Sequence, residues 1–137
     1  MASKHYDNPY CMLKLKKTLQ ALALPAGEQL ELYPPESAQA DELALDFDHW
    51  STCALGNDRD KMTSAQSDAL QAIDSALNGM SASRDASHWT PEGLAQRVEW
   101  ERVRELASEA LKVFAWPYQV PVNYEGPVTQ EELDLEL

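Results

Sequence analysis

Asp46, His49 and Cys53 are the residues whose types and spacing come closest to doing chemistry. Steps of three and four residues put a carboxylate, an imidazole and a thiol on one side of a helix. Together they offer oxygen, nitrogen and sulfur to a zinc ion, with His5, Cys11 or water completing four ligands. The His49–Cys53 pair also has the composition of a thiolate nucleophile and its base. Two physical arguments weigh against both readings. Cysteine is among the most buried residue types and packs as a small hydrophobe. The carboxylates crowding this segment also oppose thiolate formation. The chain has no CxxC, no HExxH and no second clustered pair. The expectation is therefore no catalytic residue, no cofactor and no metal.

Other chemistry is excluded by pattern. Asp46, Asp48, Asp58 and Asp60 lack the calcium-loop spacing, and Asp46 and Asp48 fall about 200° apart on a helix. Glu99, Glu105 and Glu109 lack the paired Glu-x-x-His motifs of a di-iron bundle. The five glycines are scattered singly, so no phosphate-cradling loop is present. His88, between Ser87 and Trp89, reads as a loop residue ahead of a helix.

The elements that must position these residues are helical. Asn8-Pro9 is a cap and first-turn signature, and Met12, Leu15, Leu19 and Leu22 form a stripe that Pro25-Ala26-Gly27 ends. Gln29 to Tyr33 reads as a short extended piece before Pro34-Pro35. A second helix is predicted from Glu36 or Ser37 to about Leu55, with Leu43, Phe47, Trp50 and Ala54 as its apolar face. Thr63-Ser-Ala-Gln66 is a capping box for a third, carried by Leu70, Ile73 and Leu77 and closed by Gly79. Thr90-Pro91 opens a fourth and longest helix running to Trp116-Pro117. Its stripe comprises Trp100, Val103, Ala107, Ala110 and Phe114, widened by Leu94, Val98, Leu106 and Leu111.

The segment 117–127 reads as extended, crossing the bundle through Tyr118, Val120, Val122 and Tyr124. The expected fold is thus all-α: one domain over 1–137, a bundle of about four helices with an extended Pro-rich C-terminal segment. Residues 1–7 and 128–137 are expected as frayed tails, the latter with a turn capped by Thr129 as the alternative.

Charge supplies the functional clue. The 137 residues carry a net charge of −12, which argues against a nucleic-acid partner. The distribution is uneven: +3 over 1–24, −8 over 25–60 and −5 over 117–137. Lys14, Lys16 and Lys17 are too few for a polybasic membrane signal and are expected to pair with the acidic second segment. No stretch is long and apolar enough to span a membrane. With no secretory signal, Cys11 and Cys53 are expected as reduced thiols of a cytoplasmic protein.

Two segments, Asp41-Glu-Leu-Ala-Leu-Asp-Phe-Asp-His-Trp50 and Trp89-Thr-Pro-Glu-Gly-Leu with Trp100-Glu-Arg-Val-Arg-Glu-Leu-Ala, carry a resemblance. They resemble small acidic helical bacterial proteins of uncharacterised function, similar to toxin-immunity proteins. The resemblance covers about half of the chain and implies no catalytic residue. It implies a non-enzymatic bacterial binding protein, an immunity-type inhibitor that occludes a basic toxin such as a nuclease. Glu36, Asp41, Glu42, Asp46 and Asp48 are the candidate interface, and the protein is expected to be a monomer or homodimer. Two alternatives stay open: a structural or adaptor homodimer, and a metal- or thiol-dependent enzyme using His49 and Cys53.

Overall fold

The computed structural model describes residues 6–136, and every helix or strand assigned among them is a helix. Asn8 accepts a hydrogen bond from the Cys11 amide (3.0 Å) and Pro9 takes the first helical position, so α1 spans Pro9–Ala23. Its predicted stripe of Met12, Leu15, Leu19 and Leu22 is fully buried. Past Pro25 the chain forms α2 (Ala26–Glu31) where an extended piece is expected. The reason is Gln29, which is buried and donates to the Ala21 and Leu22 carbonyls at the end of α1 (3.1 and 2.9 Å). A helical turn brings its amide back to carbonyls the helix end leaves open.

The second long helix, α3 (Gln39–Asp58), runs through Gly56-Asn57 rather than stopping there. Its last residue, Asp58, is fully buried and accepts from the backbone amides of Asp7 (2.5 Å) and Asn8 (3.0 Å). That contact orders Asp7, which is expected in a frayed tail; residues 1–5, His5 included, lie outside the described residues. The capping box forms as predicted, with Gln66 and Thr63 exchanging bonds of 3.1 and 2.9 Å at the start of α4 (Ser64–Ser83). This helix continues past Gly79 because Met80 beyond it is buried, and it closes on Arg84 at φ 57°.

The predicted fourth helix is divided into α5 (Pro91–Gln96) and α6 (Val98–Phe114) by Arg97, whose backbone is extended (ψ 134°). Leu94 and Trp100 are both fully buried. On an unbroken helix six residues would set them about 120° apart. The break lets both enter the core and turns Val98 out to 69% exposure, off the stripe where it is expected. Gly93 is required here: a Cβ would collide with the Ser87 carbonyl of the 3-10 turn Ala86–Trp89. At the other end, the Trp116 amide donates to Leu111 (2.9 Å), the Ala115 amide donates to Lys112 (3.0 Å), and the Trp116 ring stacks on Phe114.

Residues 117–129 form a loop that returns the chain to α1, not a terminal extension. Tyr118, Val120 and Val122 are more than half exposed, so of the four residues expected to cross the bundle only Tyr124 packs against the core cluster. Beyond the loop lies α7 (Gln130–Glu136) in place of a frayed end. Thr129 accepts from the Glu132 amide (3.1 Å), and the Glu132 carboxylate pairs with Lys17 Nζ at 2.6 Å. Lys17 therefore meets the acidic C-terminus and not the second segment.

The four long helices share one hydrophobic cluster, in which α1 packs against α3 and α6, and α4 against α6. A disulfide joins Cys11 of α1 to Cys53 of α3 across a Cα separation of 6.0 Å. The expectation of reduced thiols fails because α1 and α3 lie side by side, a fact that a sequence separation of 42 does not disclose.

Candidate functional site

Helix α3 carries four of the five candidate interface carboxylates, and the fold sorts those four onto two sides. Asp46 turns inward. Its Oδ2 accepts from the hydroxyls of Tyr33 (2.6 Å) and Tyr124 (2.7 Å), whose oxygens are 2.9 Å apart. Burial raises both phenols above their ordinary range, with the neighbouring Tyr124 hydroxyl adding for Tyr33 and the Asp46 charge adding for Tyr124. Both therefore stay protonated and serve as donors.

A polar cavity of about 170 Å³ adjoins Asp46 and is lined by Lys14, Thr18, Trp50, Tyr124 and Glu125. Lys14 Nζ lies over the rings of Tyr10 and Trp50 (5.9 and 5.7 Å) and donates to the Gly126 carbonyl (3.3 Å). Burial lowers the Lys14 pKa, helped by Lys17, while burial and then Asp46 raise that of Glu125. The bonds from Lys14 to Gly126 and from Tyr124 to Asp46 clamp the 117–129 loop to α1 and α3.

Asp41 and Asp48 face the other way. They flank Leu45 by four and three residues, so the three form one outward stripe, and Leu45 is 61% exposed. Across a groove of about 220 Å³, α4 presents Asp74, Leu77 and Asn78, with Trp89 at its end. Glu42 borders the other side, where its charge is felt by Glu125, and Glu36 stands exposed ahead of α3.

The proposed metal set does not assemble. Cys53 is bonded to Cys11, Asp46 is engaged by two tyrosines, and His49 sits edge-on to Trp50 (4.4 Å between centroids). Among the described residues no group of three His, Cys, Asp or Glu side chains could hold an ion. The disulfide likewise removes Cys53 as a thiolate.

A second polar cluster has no counterpart in the sequence reading. His88, expected as a loop residue, is 2% exposed. Its Nδ1 lies 3.3 Å from Ser83 Oγ, and its Nε2 lies 3.0 Å from an Arg97 nitrogen and 3.3 Å from Glu99 Oε2. Serine, histidine and carboxylate in this order suggest acyl-transfer chemistry, but the hydrogen bonds forbid it. The Ser83 hydroxyl spends its proton on the Met80 carbonyl (2.7 Å). His88 therefore cannot take the serine proton, and Ser83 lies at a helix C-terminus, where the dipole opposes a developing anion. The cluster acts as a clasp: Arg97 also reaches Asp85 (3.2 Å) and Ser87 (3.1 Å), holding the break between α5 and α6. The only signal for it was Asp85, Ser87, Arg97 and Glu99 crowding around one histidine, which becomes legible once the helix is known to break.

No family model matches the chain, and no curated protein or solved structure matches it.

Proposed function

We propose that the chain is a non-enzymatic protein-binding protein of the immunity type, which covers a basic partner with the outward side of α3. The observation that carries this reading is the Asp41–Leu45–Asp48 stripe, an exposed apolar side chain bracketed by carboxylates that make no ion pair among the described residues. Apolar contact supplies affinity at such a surface, and the charges steer a basic partner and fix its register. Asp46 drops out of the interface because its carboxylate is spent on Tyr33 and Tyr124. Asp41 and Asp48 stay in it, joined by Asp74 across the groove.

The Cys11–Cys53 disulfide favours an oxidising compartment over the cytoplasm, since thiols are kept reduced in the latter. A basic partner met outside the cytoplasm then fits better than a nuclease acting within it.

The test is co-expression with the product of the neighbouring gene, followed by co-purification and titration calorimetry. A complex that weakens at least tenfold between low salt and about 0.5 M, and is lost in D41K/D48K, supports the reading. A complex indifferent to both changes would overturn it.

A further inference from the structure

Between α4 and the start of α6 lies a cavity of about 470 Å³, within the roughly 300–1,000 Å³ of small-molecule sites. We propose that it binds a small uncharged aromatic molecule bearing one N–H or O–H donor, a ring of phenol to indole size. This reading does not depend on the acidic face of α3.

Gly79 is the first argument. It sits inside α4, away from either cap, where glycine is about 0.5–1 kcal/mol less favourable than alanine. A Cβ built on it meets no atom within 4 Å, so neither packing nor a close approach requires glycine there. Its lack of a side chain leaves space, and with Ala76 it presents a flat strip of helix against which a ring can lie. Val98 forms the facing wall at 69% exposure, an apolar surface that an occupant would cover.

The polar groups at the rim choose the occupant. Arg102 lines the cavity with a side chain 63% exposed, paired among the described residues with Glu105 at 3.5 Å, and a guanidinium there can lie over an aromatic face. Glu99 also lines the cavity. Its own backbone amide, then His88, hold its pKa below the usual carboxylate range, so it can only accept a hydrogen bond. It already pairs with Arg97 (3.3 Å) and His88 (3.3 Å), and its remaining lone pairs can accept from an N–H or O–H on the ring. A ligand carboxylate would instead face Glu99, Glu105 and the field of a chain at −12. The buried end is already closed by His88, whose ring nitrogens are engaged by Ser83, Arg97 and Glu99, which leaves no demand for a second charged head group.

Indole is the probe, titrated into the 15N-labelled protein by NMR with calorimetry alongside. Saturable shifts at Ala76, Gly79, Val98 and Arg102, with a dissociation constant below about 1 mM, are expected. Indole-3-acetate should bind at least tenfold more weakly, as should hexanol, which has the hydroxyl but no ring. G79L should fill the cavity and weaken indole at least tenfold while the melting temperature stays level or rises, which separates occlusion from unfolding. The proposal is overturned by no saturable shift, by equal binding of hexanol or the acetate, or by indole binding undiminished in folded G79L. Sedimentation of the unliganded protein as a dimer that G79L dissociates would also overturn it, assigning the cavity to a second copy.

Discussion

The two sides of α3 use the same residue type for opposite ends. Asp46 and Asp58 are held by the chain itself, one by two phenols and the other by two backbone amides. Asp48, exposed, and Asp41, half-buried, flank an exposed leucine on the other side. A carboxylate that accepts several short hydrogen bonds in a half-buried setting ties elements together. One left in water contributes little to folding and remains available to a partner. Acidity summed over the segment hides this division, and only the inner half of it is structural.

The largest effect should come from cutting the covalent tie beside the inner side. Replacing both Cys11 and Cys53 with alanine removes a crosslink between residues 42 apart and should cost about 2–4 kcal/mol in urea unfolding. A change under about 0.5 kcal/mol would mean that packing of α1 on α3 suffices alone. Next, D46N should cost about 1–2 kcal/mol, because the two phenols lose a charged acceptor. Combined with Y33F, its effect should fall short of the sum of the singles, since both act on one cluster; strict additivity would dissolve the cluster as a unit.

A smaller effect follows from pH. The Lys17 hydrogen bond holds the Glu132 pKa below its ordinary 4.5. The folded state thus favours the ionised carboxylate, and the stabilisation is complete above about pH 4.5 and lost as pH falls through the lower folded value. Wild type and E132Q should therefore converge in stability on acidification below that point. Parallel curves would show that docking of α7 adds nothing. The smallest effect belongs to the outer side: D41N and D48N should shift stability by no more than about 0.5 kcal/mol each. A loss of 2 kcal/mol or more in either would move that residue to the inner class and remove it from the partner surface.

Local signals were legible wherever the deciding interaction is local. The Asn8 and Thr63 caps, the buried stripe of α1 and the end of α6 at Trp116 all rest on residues within a turn of one another. Boundaries set by distant partners were not. Gln29 is helical because Ala21, Leu22 and Arg104 need it, and α3 extends to Asp58 because the amides of Asp7 and Asn8 end there. The break at Arg97 serves two core residues whose spacing no straight helix accommodates. For the candidate site, the sequence identified α3 as the acidic helix but could not sort its carboxylates. Helical spacing gives an angle around an axis, and which angle faces the core depends on the neighbours.

By itself the sequence determined an all-α chain with four long helical patterns, a strongly negative charge and its concentration in two segments. Those follow from periodicity, capping chemistry and counting. Tertiary structure alone decided that Cys11 meets Cys53, that Asp46 meets Tyr33 and Tyr124, that His88 is buried under Arg97, and that Gly79 and Val98 border a cavity. Most of these join residues from separate elements. The physical reason is that burial and long-range pairing depend on how helices pack against one another, and side-chain chemistry acquires a role only when that packing chooses its neighbours.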